Sequence, residues 1–255
     1  MTNPAIPSAR TALALTIGLA STTFVFVVVN YLIYTVRWEF AVLNPAYMAE
    51  QPPTVSRAIS DPSIGPSFAM WMVICGPLLV LGLSLQYHSY LGVLKRQDIA
   101  TKAQVFGLSV LTVLALVFQV MASSGMVILS QFRFPNHNDM HMVGSYLFFF
   151  SQAFFTFTTF FVSRAYSKLA AQGGLLSARA CRFRARLIWL PAFLSAFYLF
   201  LFVAKSYSFG TIDDALYQTY VTVELFLMSS FLIYMMAWAP DSVIAIRRYL
   251  ASRST

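Results

Sequence analysis

Six long apolar runs separated by short polar gaps dominate the sequence, at about 12–35, 67–90, 104–130, 142–163, 187–205 and 217–239. Each is close to or above the roughly 20 residues that a helix needs to cross a ~30 Å hydrocarbon core. Within them the apolar residues are nearly continuous, and no 3.6-residue stripe stands out. A β-barrel would instead show alternating segments of ~10 residues, and a helix keeps all its backbone hydrogen bonds to itself, as lipid requires. The pattern predicts an all-α polytopic membrane protein: a six-helix bundle in a single domain over residues 1–255. Arg10 precedes the first run in the manner of a signal peptide. That run continues to about Val36, well beyond the 7–15 apolar residues of a signal, and is read as a retained first helix.

Composition agrees. The chain is 58% hydrophobic and only 10% charged, with mean hydropathy +0.69; a soluble domain carries about 25% charged residues. Net charge is +8, but the cations sit in the polar gaps, which records membrane topology rather than a nucleic-acid groove. One set of gaps holds Arg10, Lys95, Arg96, Lys102, Arg164, Lys168, Arg179, Arg182, Arg184, Arg186, Arg247, Arg248 and Arg253; the other holds Arg37, Arg57, Arg133 and Lys205. This alternation places both termini on the cytoplasmic side. Carboxylates run the other way: Glu39, Glu50, Asp61, Asp139, Asp213 and Asp214 fall in outer gaps, Asp98 and Asp241 in inner ones.

Glu224 alone lies within a span, roughly 10 Å below the outer surface at ~1.5 Å per residue. A carboxylate there marks a functional or a paired position, with Lys205, Arg133 or a backbone group as structural partners. His141 opens the fourth helix, with Asp139 and His137 before it and Gly144 one turn on, where a glycine admits a close neighbour. It is either a general acid–base group or a helix-end hydrogen-bonder. Asn30 falls in the same layer, while Gln119, Ser123, Ser124, Gly125, Gln152 and Thr156 suit helix packing. The run "YLFFFSQAFFTFTTFF" (146–161) reads as lipid-facing surface. Three histidines, with His88 at the opposite end from His141, offer no facing pair of haem ligands; neither metal nor cofactor is expected. Near the inner surface Arg179, Arg182, Arg184 and Arg186 follow the break at Gly173–Gly174. They either grip anionic phospholipid headgroups or only enforce topology.

Three stretches together carry a resemblance: "AISDPSIGPSF" (58–68) before the second helix, "HMVGS" (141–145) and "VELFLMSSFLIYMMAWAPD" (223–241). In this order they resemble the six-transmembrane family of the FGF-receptor-activating protein, the autophagy modulator DRAM and the yeast suppressor of four kinase. That family also includes the N-terminal domain of a yeast cell-wall protein that remodels GPI lipids. The shared pattern falls on Ile59, Ser60 and Asp61; Pro66; His141, Gly144 and Ser145; and Glu224. Ser145 departs from a more usual alanine, and Leu225 from a frequent aromatic.

Relatives act in GPI-lipid acyl remodelling or in membrane-lipid asymmetry and signalling. The resemblance therefore implies a protein that binds or helps remodel a GPI-type glycolipid or a phospholipid at an outer polar cluster. Asp61, His141 and Glu224 are expected to form that cluster, with Ser60, Gly144, Ser145, Asp139 and Asn30 docking the headgroup or the loop. In acyl transfer His141 is the general base, Asp61 orients it, and Glu224 is the acid or hydrogen-bond donor. No Ser or Cys has a nucleophile's context, so the acceptor hydroxyl belongs to the lipid. The alternative is a non-catalytic scaffold whose basic inner loops recruit partners or anionic lipid. A transporter is a third reading, but Gly76–Pro77 breaks one half of the chain with no counterpart in the other. A bacterial inner membrane and a eukaryotic plasma, Golgi or endolysosomal membrane suit the sequence equally.

Overall fold

The computed structural model describes residues 6–96, 100–169 and 174–254; Asp98, Gly173 and the side chain of Arg96 lie outside these. It is 85% helix, with no strand among the described residues. In chain order the helices are α1 (Ala9–Leu43), α2 (Pro45–Glu50), α3 (Val55–Ala58), α4 (Gly65–Arg96), α5 (Lys102–Gln131), α6 (Asn138–Leu169), α7 (Ala178–Leu187), α8 (Trp189–Ala204), α9 (Asp213–Met236) and α10 (Ala239–Ala251). Six stretches are long and apolar enough to cross a membrane: α1, α4, α5, α6, α7–α8 and the stretch Gly210–Ala251 that holds α9 and α10. The fold is thus the predicted six-span helical bundle.

The helices extend past the predicted apolar windows because polar residues complete their ends. Ser8 accepts from Thr11 N at the start of α1, and Thr101 and Gln104 form a capping box on α5. Pro77 does not interrupt the second span, contrary to the sequence reading; α4 runs through it unbroken. The break falls instead at Ile188, between α7 and α8.

Helices α1, α4, α5 and α6 pack in succession, and α9 closes the arrangement by touching α1, α6 and α8. The stretch containing α9 is the most enclosed: 72% of its apolar window is buried, against 28–44% in the other five. In lipid, such packing depends on backbone approach and van der Waals contact rather than on hydrophobic exclusion. Between α5 and α6 the approach is closest at Gly125 and Gly144. A Cβ on Gly144 would come 2.6 Å from Leu129 N and 3.0 Å from Gly125 O. Gly144 is therefore a packing residue, not a headgroup contact.

At the end of the bundle that carries both termini, one buried ion pair joins four elements. Arg184 of α7 and Asp241 of α10 are both 0% exposed, with Nη1 donating to Oδ2 at 2.6 Å. Asp241 Oδ1 accepts from Ser177 N at 2.8 Å, while Arg184 also donates to Ala237 O, to Ser163 Oγ of α6 and to Cys181 Sγ. Its guanidinium lies 4.0 Å from the Trp238 ring, which packs against Tyr87 and Tyr90 of α4. The expectation that Arg184 meets lipid headgroups alongside Arg179, Arg182 and Arg186 is therefore corrected. Those three are exposed, whereas Arg184 is turned inward because Asp241 requires a counter-charge.

This pair gives the first prediction. Arg184→Met or Asp241→Leu alone leaves an uncompensated buried charge and costs about 3–5 kcal/mol. The double substitution costs clearly less than the sum, with a coupling of at least ~1 kcal/mol. Thermal unfolding of the purified variants in detergent reads both quantities.

Candidate functional site

At the opposite end, the connection between α1 and α4 folds back onto the bundle. Thr54 caps α3 by accepting from Arg57 N, and Val55, Ala58, Ile59 and Ile64 are buried beneath it. The first N–H of a helix has no partner within that helix. Here the Val55 N–H donates to Glu224 Oε2 at 3.0 Å. Glu224 is only 3% exposed and sits on α9, the most enclosed helix. Of the structural partners named for it from sequence, the backbone group is the one found. Arg37 and Lys205 act on it electrostatically from further away.

Asp61 does not join Glu224. Its Oδ1 accepts from Ser63 N at 2.9 Å and from Ser63 Oγ at 2.6 Å, and its Oδ2 accepts from Asn44 Nδ2 at 3.1 Å. Its main-chain carbonyl accepts from Ile64 N and Gly65 N, which leads the chain into α4. Asp61 therefore shapes the turn from within, and these donors hold its carboxyl below the ordinary value of 3.8. The connection thus has a defined turn, and it docks on the bundle through Val55. Ser60 and Asn30 are likewise spent locally, on Ser56 O and Phe26 O, and Asp139 is exposed in the first turn of α6.

His141 is 1% exposed, with Nδ1 at 3.0 Å from both Leu129 O and Phe132 O. Both are carbonyls, so Nδ1 carries the proton and caps the C-terminal end of α5. This fixes the tautomer and leaves Nε2 unprotonated in the neutral ring; Nε2 is buried without a hydrogen-bond partner. The orienting role expected of Asp61 is filled by these two backbone carbonyls.

His141 and Glu224 line the same cavity, of about 480 Å3, between α6, α8 and α9. Ser145 joins them, with its hydroxyl donating to His141 O at 2.9 Å. From His141 to Phe157 the α6 wall runs ~24 Å at 1.5 Å per residue. Polar groups concentrate at one end: Thr54, Ser56, His141, Lys205, Tyr217 and Glu224. Further along, the wall is mainly Phe150, Phe154, Phe157, Ala192 and Leu199. Several of these side chains also face outward, with Phe154 52% and Leu199 48% exposed, so the cavity opens sideways between α6 and α8. The phenylalanine run is thus cavity wall as well as outer surface, which the sequence reading missed. It also missed Tyr198 and Tyr220, stacked at 5.1 Å with Tyr198 Oη donating to Tyr220 Oη. Spacing offers no sign of either, since aromatic residues recur throughout both helices.

Asp61 yields a second prediction. Its folded-state pKa is lowered, so its stabilising contribution is full above the unfolded value and is lost as pH falls through the folded one. Asp61→Ala lowers stability at neutral pH by about 1 kcal/mol, and the gap to wild type narrows below about pH 4. Thermal unfolding between pH 3 and 7 checks both parts.

No curated protein and no solved structure matches the chain significantly. A family match does extend from the first turn of α1 to Asp241, reaching into all six membrane-crossing stretches and taking in the cavity and the buried carboxylates at both ends. Over residues 11–241 it is to the Frag1/DRAM/Sfk1/Cwh43P N-terminal domain, and the chain belongs to that family.

Proposed function

We propose that this protein binds a membrane lipid in the cavity between α6, α8 and α9 and takes part in remodelling its acyl chains. The observation that carries the reading is the cavity's form: open to the bilayer, aromatic and aliphatic along most of its length, with titratable groups at one end. An amphiphile entering sideways places its chain along Phe154 and Phe157 and its polar group near His141 and Glu224. By the distribution of Lys and Arg, this end faces the outer side.

The chemistry assigned to these groups is acyl transfer. A lipid hydroxyl attacks the carbonyl carbon of an ester. His141 Nε2 accepts the hydroxyl proton as the new C–O bond forms, and returns it to the leaving oxygen as the old bond breaks. Glu224, in the step where it carries a proton, donates to the oxygen on which charge develops. The nucleophile is the lipid's own hydroxyl. Relatives that act on GPI lipids or phospholipids are consistent with either kind of substrate.

A scaffolding role is the second reading, favoured by α7. Its surface presents Arg179, Arg182, Phe183 and Arg186, with Trp189 close by and 74% exposed. A basic and aromatic face of this kind suits anionic phospholipid headgroups on the cytoplasmic side.

The test is acyl release and transfer by the purified protein in liposomes with labelled lyso- and diacyl-lipids. Wild type is expected to turn over. His141→Ala is expected to lose about 10²–10⁴-fold, and Glu224→Leu to lose activity that Glu224→Gln, still a hydrogen-bond donor, largely retains. Inactive wild type, together with variants that melt early, would reduce the cluster to a structural lock and favour the scaffold.

A further inference from the structure

The membrane-facing cavity has a polar neighbour. A second space of about 410 Å3 lies at its rim, lined by Gln51, Ser206, Ser208, Asp213 and Asp214 among others. Lys205 and Tyr217 line both spaces. Lys205 is the C-cap of α8, where the chain leaves the membrane-crossing helix. Its position is therefore the boundary between a compartment fit for a hydrocarbon chain and one fit for a headgroup.

Its surroundings hold the charge in place without neutralising it. The ammonium stands 4.5 Å from the Tyr220 ring centroid and 4.9 Å from that of Phe202. Among the described residues no carboxylate lies within ion-pair distance of it, and Glu224 acts only from further away. Asp213, in the polar space, is already engaged: its oxygens accept from Ser208 Oγ at 2.9 Å and Phe209 N at 2.7 Å. Asp214 lies on the exposed first turn of α9. Lys205 is exposed; the aromatic faces position its cation, so an anion arriving there gains a charge-assisted hydrogen bond. From Ala192 to Lys205 the α8 wall runs ~20 Å, which puts this charge at one end of the chain-length channel.

We infer that the cavity selects amphiphiles with an anionic group where chain meets head, a phosphodiester or a carboxylate, and that Lys205 binds that group. This rests on the lipid reading above and narrows it, since neutral glycerides and other uncharged lipids are disfavoured. Lys205 is a specificity residue here, distinct from the proton-transfer role given to His141.

The experiment uses the full chain in neutral detergent micelles and three probes with the same sixteen-carbon chain: palmitate, 1-palmitoyl-lysophosphatidylcholine and 1-monopalmitoylglycerol. Dissociation constants are measured for wild type, Lys205→Met and Lys205→Arg, each first shown to melt within a few degrees of wild type. In wild type at least one anion-bearing probe should bind about tenfold tighter than monopalmitoylglycerol; whether it is palmitate or the lysophospholipid identifies the anion as carboxylate or phosphate. Lys205→Met should bring the three within about twofold of one another with the neutral probe unchanged, and Lys205→Arg should retain the preference. Equal binding of all three by wild type overturns the inference and leaves the lipid cavity standing. A preference that survives Lys205→Met overturns the assignment to Lys205. Failure of every probe to bind wild type overturns the lipid reading and the inference with it.

Discussion

Two buried carboxylates on the central α9–α10 stretch organise this protein, because an apolar interior does not tolerate an unpartnered one. Asp241 draws α7 onto the bundle by taking Arg184 and the Ser177 N–H. Glu224 draws the α1–α4 connection onto the other end by taking the Val55 N–H. The two differ in a way that matters for chemistry. Asp241 is matched by a full counter-charge and lies in a closed aromatic setting. Glu224 receives one backbone donor and borders a cavity, so it keeps capacity for a ligand.

The cavity exists because packing is uneven. Helices α5 and α6 meet backbone to backbone at Gly125 and Gly144, and α1 and α4 do the same at Gly18 and Gly82. Helix α8 packs chiefly on α9 and only lightly on α6, and large aromatic side chains line the gap. Rings in that gap serve two surroundings at once, the bilayer outside and the cavity within. Under the lipid reading proposed above, a chain enters through this side opening without passage through water, which is the ground for proposing a lipid site rather than a solute path.

Of the two roles open to His141 from sequence, the structure shows the helix-end one. Its Nδ1–H completes the end of α5, a structural duty, and that duty fixes which nitrogen is left without a proton, the buried and unpartnered Nε2. A histidine held by backbone carbonyls has its tautomer set without a second carboxylate, so Asp61 is free to shape its own turn.

By itself the sequence determined the solvent, the number of crossings and the ends at which charges gather. Lipid leaves those features in one dimension: apolar length sets the span, and the gaps collect the ions. It also named Glu224 and His141, since polar groups in such runs are rare enough to stand out. Only the tertiary structure decided which of them meet. Arg184 sits among three exposed arginines in the sequence yet turns inward to Asp241; Asp61 shares a motif with the loop yet faces its own serine; Phe154 and Phe157 look like outer surface yet line the cavity. The reason is common to all three. When the surroundings are apolar on every side, a helix shows no hydrophobic stripe to tell its inner face from its outer one, and only packing against neighbours assigns each side chain to lipid, cavity or core.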